Sequence, residues 1–127
     1  MNQSIERTTL SNLVTNEEYC RKVLPFIKPD YFDVKEERVV FEEITNFVEK
    51  YKRIPTKISL EIEVESRKDL TQDQHTKIVE IIQTLDATDV DMEWLVDTTE
   101  KFCKDKAIYN AIVDGISIID GKDKKRS

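Results

Sequence analysis

The stretch FIKPDYFDVKEERVVFEEITNFVEKY, residues 26–51, contains the most regular apolar periodicity in the chain. Apolar residues recur there at spacings of three and four, which predicts a helix with one buried side. This apolar row consists of Val40, Phe41, Ile44, Phe47, Val48 and Tyr51. Asp33 and Glu36 have the spacing of a capping box, so we expect the helix to begin at Asp33 and to run to about residue 52.

Two shorter helices are expected before it. The first covers about residues 5–14, and the second begins at Thr15, which forms a capping-box pattern with Glu18. Pro25 lacks a backbone amide and crowds the preceding turn, so the second helix should kink there. Pro29 disfavours helical geometry at the residue before it, so the helix should end near Ile27.

Three aromatic residues outside the main row are predicted to be buried. Tyr31 and Phe32 lie in the link between the second and third helices, where we expect them to fill the gap between these helices. Trp94 lies at the start of the last helix. For this residue we favour a core position over an exposed partner contact.

Residues 56–66 fit two kinds of secondary structure. Their apolar residues alternate with polar ones, which is typical of a strand. These apolar residues are Ile58, Leu60, Ile62 and Val64. No second alternating run could pair with such a strand, and Leu60 and Val64 also fit one side of a short helix capped by Thr56. We therefore predict a helix, followed by another that is capped by Thr71. The apolar row of that next helix is Ile78, Ile81, Ile82 and Leu85.

The composition predicts an all-α protein. The chain has 127 residues, two glycines and three prolines, which suits one helical domain of about five short helices plus a long C-terminal helix. Cys20 and Cys103 have no metal or redox spacing, and we expect buried free thiols. The sequence shows no signal peptide and no apolar run of about 18 residues, which predicts a cytoplasmic protein.

The net charge of −6 is unevenly distributed. The terminal KDKKRS, residues 122–127, contributes +3, so residues 1–121 carry −9. An acidic body is repelled by a phosphate backbone, because nucleic-acid binding depends on Lys and Arg. We therefore expect that residues 1–121 do not bind nucleic acid directly. Residues 122–127 are expected to form a linker or a solvated tail, and the alternative is that they contact nucleic acid locally.

The last helix is predicted to project from the head formed by residues 5–90. From Asp91 to Ile119 nothing interrupts it, and its length of about 43 Å exceeds the diameter of roughly 36 Å expected for a compact domain of this size. Its second half is apolar on nearly all sides, which requires cover on nearly all sides. We predict that other chains provide this cover. The alternative is that the helix bends back into its own core.

The residues expected in this oligomer interface lie on the last helix from Phe102 onward. They are Phe102, Tyr109, Ile112, Val113, Gly115, Ile116 and Ile119. Gly115 lowers helix stability by about 1 kcal/mol relative to Ala, which suggests that a neighbouring backbone comes close there.

Catalytic and ligand-binding signals are weak throughout. Adjacent glutamates on a helix point about 100° apart, so Glu42 and Glu43 are expected to face water rather than share a substrate. His75 has no nucleophile arranged near it in sequence, and the acidic residues 86–93 lack the glycine and spacing of a calcium loop. We expect no catalytic residues, no bound metal and no cofactor in this chain.

Several segments together resemble the N-terminal domain of DnaB-like replicative DNA helicases, most like the version found in T4-type bacteriophages. The segments are LSNL at 10–13, YCRKVLPF at 19–26, DYF at 30–32, VF at 40–41, IP at 54–55 and WLV at 94–96. The resemblance implies a helical head and a helical hairpin that pack as the collar of a hexameric ring. It also implies a motor domain beyond Ser127 that uses ATP and Mg²⁺, with residues 122–127 beginning the linker toward it.

The family resemblance implies partners as well. Other helicase subunits, a primase and a helicase loader would bind this domain in the cytoplasm of a phage-infected bacterial host. The acidic sides of the third and fourth helices are candidate docking sites for a basic partner such as a primase. Their residues are Glu42, Glu43, Glu49 and Glu61. The alternative function is a self-contained phage adaptor or inhibitor that binds one host protein.

Overall fold

The structure is a computed structural model that describes the backbone of residues 4–126 and the side chains of residues 4–116. Its helices are α1 (Ile5–Thr15), α2 (Glu17–Val23), α3 (Lys35–Tyr51), α4 (Lys57–Glu65), α5 (Gln72–Gln83) and α6 (Met92–Arg126). Residues 4–126 contain no strand. The prediction of an all-α fold with a long C-terminal helix is therefore confirmed.

The first two helices meet at Asn16 rather than Thr15. The Asn16 side chain accepts a hydrogen bond from the Tyr19 amide at 3.0 Å and caps α2. Thr15 is the last residue of α1, and its hydroxyl donates to the Ser11 carbonyl at 2.7 Å. The predicted cap at Thr15 is wrong because the backbone becomes extended one residue later, and only an extended residue can cap the next helix.

The link between α2 and α3 consists of two 3₁₀ turns, Leu24–Phe26 and Pro29–Tyr31. The first contains Pro25 and the second Pro29. The α-helix itself ends at Val23, before Pro25, so the predicted end near Ile27 is wrong: the chain continues through Pro25 as a 3₁₀ turn instead of a kinked α-helix. Phe32 is fully buried, and its ring centroid lies 5.1 Å from that of Phe41 on α3. The predicted filling of this gap by aromatic residues is confirmed.

The long helix α3 begins later than predicted. Its N-cap is Val34, whose side chain makes no capping hydrogen bond, and Asp33 instead pairs with Lys106 of α6. Val40, Phe41 and Ile44 are buried as the periodicity predicted. The row loosens toward the C-terminus, where Tyr51 is exposed.

Residues 56–66 form a helix, which settles their ambiguity. Thr56 and Ser59 form a capping box at the start of α4, and Leu60 and Val64 are buried. The other two alternating residues, Ile58 and Ile62, are 71% and 60% exposed. Without a neighbouring strand the backbone satisfies its hydrogen bonds internally, and the alternation then places half of the apolar residues in solvent.

All six helices contribute side chains to one core. Each contributes at least one side chain that is no more than 1% exposed: Leu13, Val23, Ile44, Leu60, Ile82 and Leu95. Thr71 and Gln74 form the predicted cap of α5, and Asp91 accepts from the Trp94 amide at 2.9 Å to cap α6. The contacts of α6 with the head come mainly from α2, with further contacts from α1 and the Pro29–Tyr31 turn.

Candidate functional site

The last helix leaves the head part-way along its length. It contains 35 residues, or about 52 Å at 1.5 Å per residue. Lys106 Nζ donates to Asp33 Oδ1 at 2.7 Å. One turn later, Asn110 Nδ2 donates to the Asp30 carbonyl at 3.3 Å. Both hydrogen bonds tie α6 to the link before α3, and the helix then continues beyond Asn110 as a rod.

Apolar side chains are exposed along this rod. The exposed fractions are 61% for Ile108, 59% for Tyr109, 57% for Ile112, 39% for Val113 and 53% for Ile116. We call these five residues the rod-end surface. The helix does not bend back over them, so the alternative in which they form internal core is wrong for this part of the chain. The far end of α6 projects, as predicted.

The remaining predicted interface residues have different settings. Phe102 is partly buried and packs against the head core. A Cβ atom built on Gly115 would meet nothing within 4 Å, so its own chain supplies no close neighbour there. Ile119 lies outside the residues whose side chains are described. An interface role for these three residues stays a prediction.

Trp94 is not in the core. Its side chain is 53% exposed, whereas the next residue, Leu95, is buried. The expectation of a core tryptophan is wrong because α6 packs on the head through a row that contains Leu95, Thr99 and Cys103. A helical residue next to such a row points about 100° away from it. Trp94 lies about five full turns before Ile112, so both residues lie on the same side of α6.

The acidic candidates for partner docking divide into two pairs. Arg67 Nη1 donates to Glu42 at 3.2 Å and to Glu43 at 3.1 Å. Glu43 is buried, so the prediction that it faces water is wrong. Burial raises the pKa of Glu43, and the charge of Arg67 opposes part of that rise. Glu49 is exposed and Glu61 is partly exposed, so these two remain accessible on α3 and α4.

Comparison with known proteins identifies the fold family. The family of DnaB-like helicase N terminal domains matches residues 1–93 of the 127. The chain belongs to this family. A relative in Enterobacteria phage T4, described as a DnaB-like replicative helicase, is 28% identical over 102 residues. The aligned segment covers 80% of this chain and 21% of the T4 protein, so the chain spans about a fifth of that relative's length.

The match to DnaB-like N-terminal domains ends close to the start of α6. It includes α1 to α5 and stops at residue 93, before the rod-end surface begins at Ile108. The resemblance stated from individual sequence segments is therefore confirmed for the head. The case for the rod-end surface depends on its exposure and not on the family match.

The potential metal ligands and the thiols of this DnaB-like domain form no cluster within the described residues. Within the described residues, no three His, Cys, Asp or Glu side chains come together as a metal site. Cys20 and Cys103 are free and buried, and burial raises the pKa of each thiol to about 11. None of the helices in the described residues combines the length and apolar content needed to cross a bilayer.

Proposed function

We propose that this chain is the assembly and docking domain of a hexameric replicative DNA helicase, where copies pack through α6 into the collar of a ring. The observation that carries the proposal is the rod-end surface. Its five apolar side chains are 39–61% exposed on a helix that its own head does not cover. A contiguous apolar surface of this kind marks an interaction site in proteins that are otherwise well packed.

The size of this surface predicts weak association by one contact alone. Full burial of a large apolar side chain contributes about 1.5–3 kcal/mol, so covering five half-exposed ones contributes roughly 4–8 kcal/mol. The lost translational and rotational freedom of association costs about 4–15 kcal/mol. A ring offsets this cost through several contacts per subunit, and the isolated domain is expected to associate only at high concentration.

The remaining parts of this proposal concern the parent protein. ATP and Mg²⁺ would bind to a motor domain that follows this one, and the positive residues 122–127 would lie in the connection to it. This domain itself would carry out no catalysis and bind no cofactor. Its net charge of −6 supports assembly and docking over direct binding of DNA. The expected location is the bacterial cytoplasm, where replication takes place.

Sedimentation velocity over a wide concentration series tests the proposed assembly. The chain has a mass of 14.9 kDa, so dimers and larger species separate clearly from the monomer. We expect the average mass to rise with concentration. A single monomeric species at the highest soluble concentration would contradict the assembly role.

We also propose that the outer side of α4 docks a basic partner such as a primase. Ile58 and Ile62 are exposed one turn apart, and Glu61 and Glu65 lie beside them on the same helix. The one lysine of α4, Lys57, is already paired with Asp86. An apolar pair with acidic neighbours suits an amphipathic helix that carries Lys or Arg beside its apolar row.

Substitution of both isoleucines tests this docking surface. Ile58→Ser with Ile62→Ser should weaken binding of the primase from the same replication system by at least about tenfold, because two exposed apolar contacts are lost. Isothermal titration measures the affinity. The control is Val34→Ser with Val90→Ser, an exposed apolar pair on other segments, which should bind like the wild type. Equal affinities for all three proteins would exclude this side of α4.

A further inference from the structure

The head contains a cavity of about 440 Å³ beside the C-terminal half of α3. Its apolar lining residues are Cys20, Leu24, Pro25, Ile27, Val48 and Ile54. The volume falls within the roughly 300–1,000 Å³ of ligand-binding pockets. The cavity also opens to solvent. It can therefore accept a large aromatic side chain from outside.

Thr45 gives the wall of this cavity a polar group. Its Oγ1 is buried and has no hydrogen-bond partner among the described residues. A buried hydroxyl without a partner destabilises a protein by about 1–3 kcal/mol. The cavity therefore favours an occupant that combines an apolar body with one hydrogen-bonding group. An indole ring has this combination, because its single N–H is a donor on an otherwise apolar side chain.

The cavity rim carries more positive than negative charge, with Arg21, Lys52 and Arg53 against Glu17 and Glu49. Lys52 and Arg53 lie there, and neither forms an ion pair with any residue in the described part of the chain. Arg21 also lies on the rim, but Glu17 pairs with it at 3.3 Å. Cations at the C-terminal end of α3 also stabilise the helix dipole. That local role leaves the charges of Lys52 and Arg53 accessible to a partner.

The chain itself displays an indole ring that is surrounded by negative charge. Trp94 is its only tryptophan and is 53% exposed. The surrounding residues 86–100 contain no Lys or Arg. Asp86 pairs with Lys57, and the other acidic residues there are Asp89, Asp91, Glu93, Asp97 and Glu100. Burial of this tryptophan by a partner is favourable, because it removes a large apolar ring from water.

Trp94 lies away from the cavity of its own chain. The residues that line the cavity come from α2, α3 and the segments that follow them, and none comes from α6. Trp94 also lies beside the row through which α6 packs on the head, so its ring points outward. A second copy can bring Trp94 to the cavity where the same chain cannot.

We propose that the cavity between α2 and α3 receives Trp94 of a neighbouring copy, with Lys52 and Arg53 facing the acidic residues around that tryptophan. The contact is heterologous, because the two surfaces differ, and repetition of such a contact closes a ring or extends a filament. This inference rests on the proposed assembly role, and it adds a second contact that is separate from the rod-end surface.

Fluorescence of the single tryptophan tests this contact directly. As the concentration of the wild-type chain rises through its association range, Trp94 emission should shift to shorter wavelength and acrylamide quenching should fall. Arg53→Glu should weaken both changes at least about tenfold in concentration, because it places a carboxylate opposite acidic residues. The control Lys68→Glu makes the same charge change at an exposed position outside the cavity and should behave like the wild type.

Mixing two defective variants tests whether the contact is heterologous. Trp94→Ala keeps the cavity, and Arg53→Glu keeps the tryptophan. Each alone should associate weakly. Their mixture contains one intact pair of surfaces and should form a one-to-one complex in which Trp94 of the Arg53→Glu chain is protected from quenching. Both positions are exposed, so circular dichroism should show unchanged folding.

The outcomes separate this inference from the proposed assembly role. If the wild-type chain gains mass in sedimentation while Trp94 stays equally quenchable, the cavity contact is wrong and assembly stands. If the chain remains monomeric at every concentration, both are wrong. If the mixture of variants forms no complex although the wild type protects Trp94, another surface covers the tryptophan and the cavity assignment is overturned.

Discussion

Ile112→Asp together with Ile116→Asp is expected to weaken self-association of this domain strongly while leaving its helices intact. Both side chains are more than half exposed in the monomer, so the carboxylates stay in water and the head is unaffected. In the assembled state both charges would be buried, at a desolvation penalty of several kcal/mol per ion. Sedimentation velocity should show at least about a hundredfold weaker association.

The matched control for this pair is Thr76→Asp with Asn46→Asp. These residues are also exposed on helices, and the substitutions add the same two negative charges away from the last helix. The control should associate like the wild type. Unfolding of the rod variant, seen as lost helical circular dichroism, would show that the two isoleucines belong to the core of a monomer and would contradict the interface.

The projection of α6 could be predicted from its length, because nothing between residues 91 and 119 interrupts the helix. Its expected cover on all sides is not what the described side chains show: at about 100° per residue, Ile108, Tyr109 and Val113 span about 140°, which is one broad exposed face. The exposure of Trp94 could not be predicted in the same way. Its position depends on which row of α6 meets the head, and Thr99 in the middle of that row is not an apolar signal.

Two helix starts were predicted wrongly for related reasons. Thr15 and Asn16 are adjacent capping residues, and the sequence offers no local reason to prefer one. Asp33 has a suitable spacing to Glu36, but its carboxylate binds Lys106, which lies 73 positions away in the chain. Local patterns determine that a helix begins nearby, whereas tertiary contacts select the residue.

The burial of Glu43 has the same kind of origin. Glu43 lies beside the buried row of α3, and a glutamate in such a position is usually exposed. Arg67, which follows α4, folds over it and also contacts Glu42 and Asp69. This ion-pair cluster joins residues 42–43 to residues 67–69 and could not be predicted from either segment alone.

Arg67→Ala is expected to lower the free energy of unfolding by about 2–3 kcal/mol at pH 7. Removing one partner of a buried ion pair leaves an unpaired buried charge, which costs about 3–5 kcal/mol. We expect a smaller loss than this because the Arg67 side chain is 21% exposed, so water can partly replace it. Urea denaturation measures the difference from wild type. Lys68→Ala, a neighbouring exposed cation, is the control and should change stability by less than about 0.5 kcal/mol.

The pH dependence of this loss identifies Glu43 as its source. Burial already raises the pKa of Glu43, and Arg67 opposes that rise, so removing Arg67 raises the pKa further. Between the ordinary carboxyl pKa and this raised one, the folded state holds a proton that the unfolded state has lost. Stability therefore increases as the pH falls through that window. The difference between Arg67→Ala and wild type should shrink from pH 7 to about pH 5.

A second substitution separates the charge of Glu43 from the packing of Arg67. Glu43→Gln in the Arg67→Ala background removes the buried charge at every pH, so it should recover much of the lost stability at pH 7 and flatten the dependence on pH. If the double variant is as unstable as Arg67→Ala and keeps its pH dependence, Glu43 is not the group that titrates. Glu42 and Asp69 would then carry the effect, and Arg67 would stabilise the fold mainly by holding the segment after α4 against α3.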